Sequence, residues 1–156
     1  MKILVINGPN LNMLGTRDKT HYGRLTLEEI NEMLLNKAKE LEAELVFFQS
    51  NHEGEIIDFI QDQSTGAHGI LINAGALTHY GYSLRDSLID ARLPIVEVHL
   101  SDVNTREEFR KISVMSDIAV DSISGLKEKS YLVGLEALAS HIRSLLTPRK
   151  NSIKIF

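Results

Sequence analysis

The chain contains no cysteine. Disulfides, thiol nucleophiles, iron–sulfur clusters and cysteine-based zinc sites are therefore excluded, and a reducing, cytoplasmic location is the expectation. No apolar run approaches the roughly 20 residues that span a bilayer, so no membrane partner is expected. The opening stretch Met1-Lys2-Ile3-Leu4-Val5-Ile6-Asn7 is short and stops at a polar turn, unlike a signal peptide. Positive charge is not in excess: 17 Lys and Arg face 21 Asp and Glu, a formal net charge of −4. A general grip on nucleic acid, which needs a basic surface, is not expected. There is no Gly-x-Gly-x-x-Gly, no Walker lysine, and no His-x-x-x-His or Glu-x-x-His spacing. A nucleotide site and a metal site are both poor fits. Internal repeats, low-complexity tracts and linkers are also missing.

What is present fits one ordinary domain. The chain has 156 residues, 43% hydrophobic and 24% charged, enough to bury a core without a staple. Strand-length apolar runs alternate with segments of helical period, the signature of a parallel α/β sheet. Strands are predicted over 2–7, 44–49, 69–73, 95–99 and 118–123. The first helix starts at Thr26, where Thr26 and Glu29 make a capping box, and carries Leu27, Ile30, Leu34, Ala38 and Leu41 inward. Further helices are expected over 54–63, 83–91 and 129–146, with a short one opened by a second capping box, Thr105 with Glu108. Residues 8–25 have no period, and a loop that long in a compact domain is usually functional or disordered. The result is a flavodoxin-like, doubly wound five-stranded parallel sheet in three α/β/α layers. Residues 1–147 are read as a single catalytic α/β domain. Residues 148–156 are read as a tail, flexible or pairing through Ile153-Lys154-Ile155-Phe156.

Ligands of open parallel sheets bind beyond the carboxyl ends of the strands, and the unusual polar residues cluster there in sequence. Asn7, Pro9, Asn10, Asn12, Arg17 and Tyr22 follow strand one. Asn73, Gly75, Thr78 and His79 follow strand three. Glu97, His99 and Ser101 close strand four, with Arg106 and Arg110 beyond. Gly8, Pro9 and Gly15 read first as turn residues. Arg17 alone would be a solvated charge, Tyr22 a loop anchor, and His79 a turn histidine bonded to backbone. His52 reads as a helix cap or as a residue that orders its loop, and His21, His68 and His141 as surface residues. Glu97 and His99 are harder to set aside, since they point one way from one strand. Arg106 and Arg110, four apart on the expected helix, could hold a carboxylate, although a solvated helix face fits Arg106 equally well. Receiver domains need acidic residues at the ends of strands one and three. Asn7 and Asn73 stand there instead. The remaining set suits proton transfer on an anionic, hydroxylated small molecule. Tyrosine is a poor base at its reference pKa of about 10, but a nearby arginine favours phenolate. Histidine can serve as general acid. Elimination of water beside a carbonyl fits such a pair.

Four motifs then carry a resemblance over nearly the whole chain, to about Leu146. They are Gly8-Pro9-Asn10-Leu11-Asn12-Met13-Leu14-Gly15 with Arg17 and Tyr22-Gly23; Gln49-Ser50-Asn51-His52-Glu53-Gly54; Asn73 with Gly75-Ala76, Thr78-His79 and Leu84-Arg85-Asp86; and Glu97-Val98-His99-Leu100-Ser101 with Arg106-Glu107 and Phe109-Arg110. In this order the chain resembles the type II 3-dehydroquinate dehydratases of the shikimate pathway, which leads to chorismate and the aromatic amino acids. The resemblance implies that Tyr22 takes a C2 proton from 3-dehydroquinate, with Arg17 stabilising the negative charge. It implies an enolate assisted by a water near Asn10 and the Gly75-Ala76 backbone. It implies that His99, oriented by Glu97, protonates the departing C1 hydroxyl. Asn73, His79, Asp86, Leu100, Ser101, Arg106 and Arg110 would bind substrate. Asp86 would serve a neighbouring subunit, in a homododecamer assembled as a tetramer of trimers. No cofactor or metal is implied.

The chain departs from the family pattern in places. Asp18-Lys19 replaces Glu-Pro, which implies a more mobile loop. Ala74 replaces proline. Tyr80-Gly81 replaces small hydroxylated residues and would reshape the pocket wall. Asp121, Lys127 and Ser130 replace glycines, which bears on packing or assembly. None removes a proposed catalytic residue. A protein of another class, one that binds ligand or assembles but turns over poorly, is the competing reading.

Overall fold

The computed structural model describes residues 1–147. The tail read from the sequence at 148–156 lies outside the described residues. Five strands form one parallel sheet: β1 (Lys2–Asn7), β2 (Glu44–Gln49), β3 (Gly69–Asn73), β4 (Ile95–His99) and β5 (Asp121–Ser124). Their order is β2-β1-β3-β4-β5, and each neighbouring pair is parallel. Every crossover must therefore pass over a face of the sheet, and helices do so on both.

The central strands show why. Residues 3–6 and 70–72 have no exposed surface, so both faces of β1 and β3 must be covered. On one face Ile3, Val5, Leu71, Val96 and Val98 pack against Ile30 and Leu34 of α2 (Leu27–Glu40) and Leu135, Leu138 and Ile142 of α5 (Lys129–Leu146). On the other, Leu4, Ile6, Ile70, Ile72 and Ile95 pack against Ile56 and Ile60 of α3 (Glu53–Gln63) and Leu84 and Leu88 of α4 (Tyr82–Ala91). The capping box on α2 forms: Thr26 Oγ1 accepts from Glu29 N–H at 3.2 Å, and Glu29 Oε2 accepts from Thr26 N–H at 2.8 Å.

Several expectations need correction. The last strand begins at Asp121, not at 118. Ile118 and Ala119 are spent on a turn, both donating to the Met115 carbonyl at 3.1 Å, while packing on the α3–α4 side of the core. The capping box at Thr105 does not form. Asp102, upstream, accepts from Asn104 N–H and starts a three-residue 3-10 turn that ends at Thr105. A second such turn spans Glu108–Lys111, so Arg106 and Arg110 do not share one helix. Residues 8–25 are not all loop: they contain a 3-10 turn at Leu11–Met13 and a one-turn helix, α1 (Lys19–Tyr22). Asp18, at the position of the Glu-Pro departure, caps α1 by accepting from Thr20 N–H at 2.8 Å. His52 sits at the start of α3, but its side chain makes no cap bond. Ser50 does that work, accepting from His52 N–H at 2.9 Å and donating to Glu55 at 2.5 Å.

Helix α5 lies tight against the sheet at Gly134. A Cβ there would lie 2.5 Å from Val98 Cγ1 and 3.0 Å from Leu71 Cδ1. Both strands are buried and cannot yield cheaply. Gly134→Ala is therefore expected to destabilise the fold by about 1–3 kcal/mol despite alanine's better helix propensity. A denaturant midpoint equal to or above that of the parent chain would show that α5 can lift without cost.

Candidate active site

The strand order reverses between β1 and β3, and the pocket opens beyond their carboxyl ends, as expected for this topology. Asn10, Arg17, Tyr22, Asn73, His79, His99, Leu100, Ser101, Arg106 and Arg110 all line it. Of the remaining site residues read from the sequence, Glu97 lies directly behind His99, and Asp86 does not line the pocket. Asp86 is exposed on α4. Tyr80 and Gly81 are not in the lining, and Tyr80 is largely exposed, so the expected change to the pocket wall is not observed.

One side of the pocket is built into the sheet. Alternation along β4 turns Glu97 away from the face that buries Val96 and Val98. There it has no exposed surface. A buried carboxylate must be matched by donors, and three supply them. His99 Nε2 lies 2.9 Å from Glu97 Oε1. Ser113 Oγ donates at 2.9 Å to Oε2. The Thr78 hydroxyl donates to Oε1. Burial pushes the Glu97 carboxyl up, but the hydrogen bond and charge of His99 and the two hydroxyls outweigh it. The group is held below its ordinary value of 4.5. With Nε2 engaged by the carboxylate, Nδ1 is the His99 nitrogen left to the pocket. It can donate only when the ring carries both protons.

The other side is carried by α1. Tyr22 ends this single turn, and its hydroxyl accepts a hydrogen bond from Arg106 Nη1 at 2.8 Å. Arg17 does not bond the hydroxyl; its guanidinium lies over the ring, 3.8 Å from the centroid. The sequence pairs Tyr22 with Arg17, whereas the structure gives the hydroxyl to Arg106. Glu107 steadies the arginine pair, lying 2.9 Å from Arg110 Nε and 3.5 Å from Arg106 Nε. His79 Nδ1 meets the Ile112 carbonyl at 2.7 Å, so this residue both bonds backbone and lines the pocket. The lining holds three guanidinium groups and no carboxylate, in a chain of net charge −4.

The Gln49-Ser50-Asn51 motif acts from outside the pocket. Asn10 holds a left-handed backbone (φ 68°), which asparagine tolerates better than most residues. Its N–H donates to Asn51 Oδ1 at 2.9 Å. Gln49 Nε2 donates to the same oxygen and to the Gly8 carbonyl, each at 3.3 Å. Gly8 itself is required, because a Cβ would collide with the Ala74 carbonyl. The sequence places Thr78 among the strand-end polar residues without a role, and it does not single out Ser113 or Tyr131. Hydroxyls carry no spacing signature, although Thr78 stands inside a quoted motif. Among the described residues no group of three or more His, Cys, Asp or Glu is placed to hold a metal ion. No helix among them is long and apolar enough to cross a membrane.

The ionised Glu97 stabilises the fold with a definite pH signature. Above pH 4.5 both folded and unfolded chains carry the charge, and the contribution is complete. As pH falls from there toward the lower folded value, the unfolded chain takes its proton first and the contribution drains away. The stability gap between the parent chain and Glu97→Gln should thus hold steady from about pH 7 to about pH 5 and narrow toward about pH 3. Urea midpoints would measure it, and a gap that widens in acid would contradict the placement.

Comparison with known proteins agrees with this architecture. A family profile described as Dehydroquinase class II matches residues 1–139. A 3-dehydroquinate dehydratase of Halothermothrix orenii is 50% identical over 142 residues, spanning 91% of this chain and 96% of its own length. One from Roseiflexus castenholzii is 53% identical over 138 residues, 88% of each chain. The crystal structure of a type II dehydroquinase from Butyrivibrio crossotus superposes with a TM-score of 0.86 at 47% identity, covering 88% of this chain and 97% of that one. The chain belongs to the class II dehydroquinase family.

Proposed function

We propose that this chain is a hydro-lyase that eliminates water from 3-dehydroquinate to give 3-dehydroshikimate in the shikimate pathway. The observation that carries this reading is the opposed pair in one pocket: a tyrosine hydroxyl bonded to a guanidinium, and a histidine backed by a buried carboxylate. The Tyr22 phenolate takes a proton from C2. The electron pair released forms an enolate with the C3 carbonyl, assisted by a water near Asn10 and the Gly75-Ala76 backbone. Arg17 and Arg106 offset the negative charge, which begins on the phenolate and moves to the enolate. His99, doubly protonated against Glu97, gives its Nδ1 proton to the C1 hydroxyl. The C–O bond breaks, water leaves, and the enolate electrons close the C1–C2 double bond. Asn73, His79, Arg110 and the Leu100-Ser101 backbone bind the substrate hydroxyls and carboxylate. No cofactor takes part.

The assay is direct, because the product enone absorbs in the ultraviolet. Tyr22→Phe should lose roughly 10²–10⁴-fold in kcat, the usual worth of a general base, with a smaller change in KM. Near-parent turnover in that variant would exclude Tyr22 as the base. A chain that binds the substrate without producing any enone would instead be a binding protein.

The assembly is part of the same proposal: a cytoplasmic homododecamer, a tetramer of trimers, in which Asp86 completes a neighbour's site. Asp86 lies on an exposed stripe of α4 with Tyr82 and Ile89, spaced to share one face. Asp86→Ala and Tyr22→Phe chains, each poorly active alone, should regain activity when refolded together, since mixed neighbours rebuild intact sites. Absence of any regain, or a fully active monomer by sedimentation, would refute the shared site.

A further inference from the structure

Tyr131 of α5 is one large polar side chain that the proposed reaction does not use. It is fully buried, and its hydroxyl sits between two strand ends. It donates to Asn7 Oδ1 at 2.6 Å and accepts from Asn73 Nδ2 at 2.9 Å. Asn7 and Asn73 are register partners on β1 and β3, the strands between which the order reverses. A residue needed only for packing on this face would have no use for a hydroxyl, and an unmatched one would be costly there.

The bonds fix a direction. A tyrosine hydroxyl has one proton. Burial drives the Tyr131 phenol well above its ordinary range, so the proton stays on. Asn7 presents an oxygen, and that oxygen takes the proton. The hydroxyl can then only accept from Asn73, which must turn its Nδ2 toward Tyr131. Asn73 Oδ1 is thereby left to accept from Gly75 N–H, which it does at 3.2 Å. One N–H of the Asn73 amide remains for the pocket that Asn73 lines. The opposite amide orientation would set a second donor against Gly75 N–H and present the pocket with a carbonyl.

We infer that Tyr131 is a positioning residue, whose hydroxyl sets the orientation of the Asn73 amide and so the donor that the pocket offers to a substrate hydroxyl. The inference rests on the reading of Asn73 as a substrate-binding residue, and its test separates the two.

Steady-state kinetics with 3-dehydroquinate on the intact enzyme form a double-mutant cycle. Asn73→Ala should raise KM. Tyr131→Phe should raise KM by about tenfold, the scale of one hydrogen bond, with kcat changed much less. The double variant should be no worse than Asn73→Ala alone, because Tyr131 acts through Asn73. Asn7→Ala frees the Tyr131 proton and should raise KM in the same way. It replaces Tyr131→Phe in the cycle if that variant does not fold. An unchanged KM in Tyr131→Phe or Asn7→Ala, beside a raised one in Asn73→Ala, overturns the inference while leaving Asn73 in the site. So do additive effects in the cycle, which would mark Tyr131 as structural only. An unchanged KM in Asn73→Ala removes the substrate role of Asn73, and with it the inference.

Discussion

A carboxylate with no exposed surface, Glu97, is the constraint on which the site is built. An ionised group in that place is tolerable only if donors surround it. Here the donors come from three stretches of chain: His99 two residues on, Thr78 from the turn after β3, and Ser113 from beyond the arginine segment. Satisfying one charge thus joins the ends of β3 and β4 to the segment that carries Arg106 and Arg110. Backbone follows the same seam, with Val114 N–H donating to the Thr78 carbonyl at 2.8 Å. The arginine segment is therefore anchored by a requirement of the core, although its own turns are short and exposed.

The other half of the pocket rests on a different footing. Tyr22 belongs to a helix of one turn, capped by Asp18, with no buried residue of its own. A single turn is not stable by itself, since nucleation costs more than one hydrogen bond returns. Its placement depends on contacts outside it: the packing of the Tyr22 ring against the core, the Arg106 bond to the hydroxyl and the stacked Arg17. Arg106 in turn lies in the stretch anchored through Glu97. The side that would supply the acid is rigid by burial. The side that would supply the base rests on the core through the Tyr22 ring and reaches across to the acid side through its hydroxyl.

This division also explains what could be read in advance. Strands β1, β3 and β4 were legible because a sheet covered on both faces needs unbroken apolar runs. Their ends followed, and with them Asn73, Glu97 and His99. Residues such as Ile118 and Ala119 misled because a buried turn selects apolar residues as readily as a strand does. Thr105 misled because Asp102, a stronger cap, lies just upstream. The pocket lining was legible as a set of residue types on strand-end segments, but its pairings were not. Arg106 stands 84 residues from Tyr22, and Tyr131 stands 124 from Asn7. Nothing in spacing reports a partner at that separation. The family resemblance supplied roles for pocket residues, but it gave none to the hydroxyls of Thr78, Ser113 and Tyr131 that hold those residues from behind.

Charge bookkeeping links these halves to the proposed reaction. Three guanidinium groups border the pocket, and Glu107 offsets one of them at its rim. The phenolate that the proposed reaction requires at Tyr22 would offset another, and the His99–Glu97 pair is neutral in sum when the ring carries both protons. One positive charge remains, and the single carboxylate of the substrate balances it. In the proposed reaction, taking the C2 proton would move a negative charge from the phenolate to the enolate without altering that balance. Giving up the His99 proton would move it again, from the enolate to the His99–Glu97 pair. At no step does the pocket gain or lose net charge, so no step needs the surrounding core to solvate a new ion. This is the advantage of placing the carboxylate behind the acid instead of in the pocket. In the pocket it would repel the substrate, whereas behind His99 its charge balances the doubly protonated ring, and once the ring has given up a proton the three donors around the carboxylate still hold that charge.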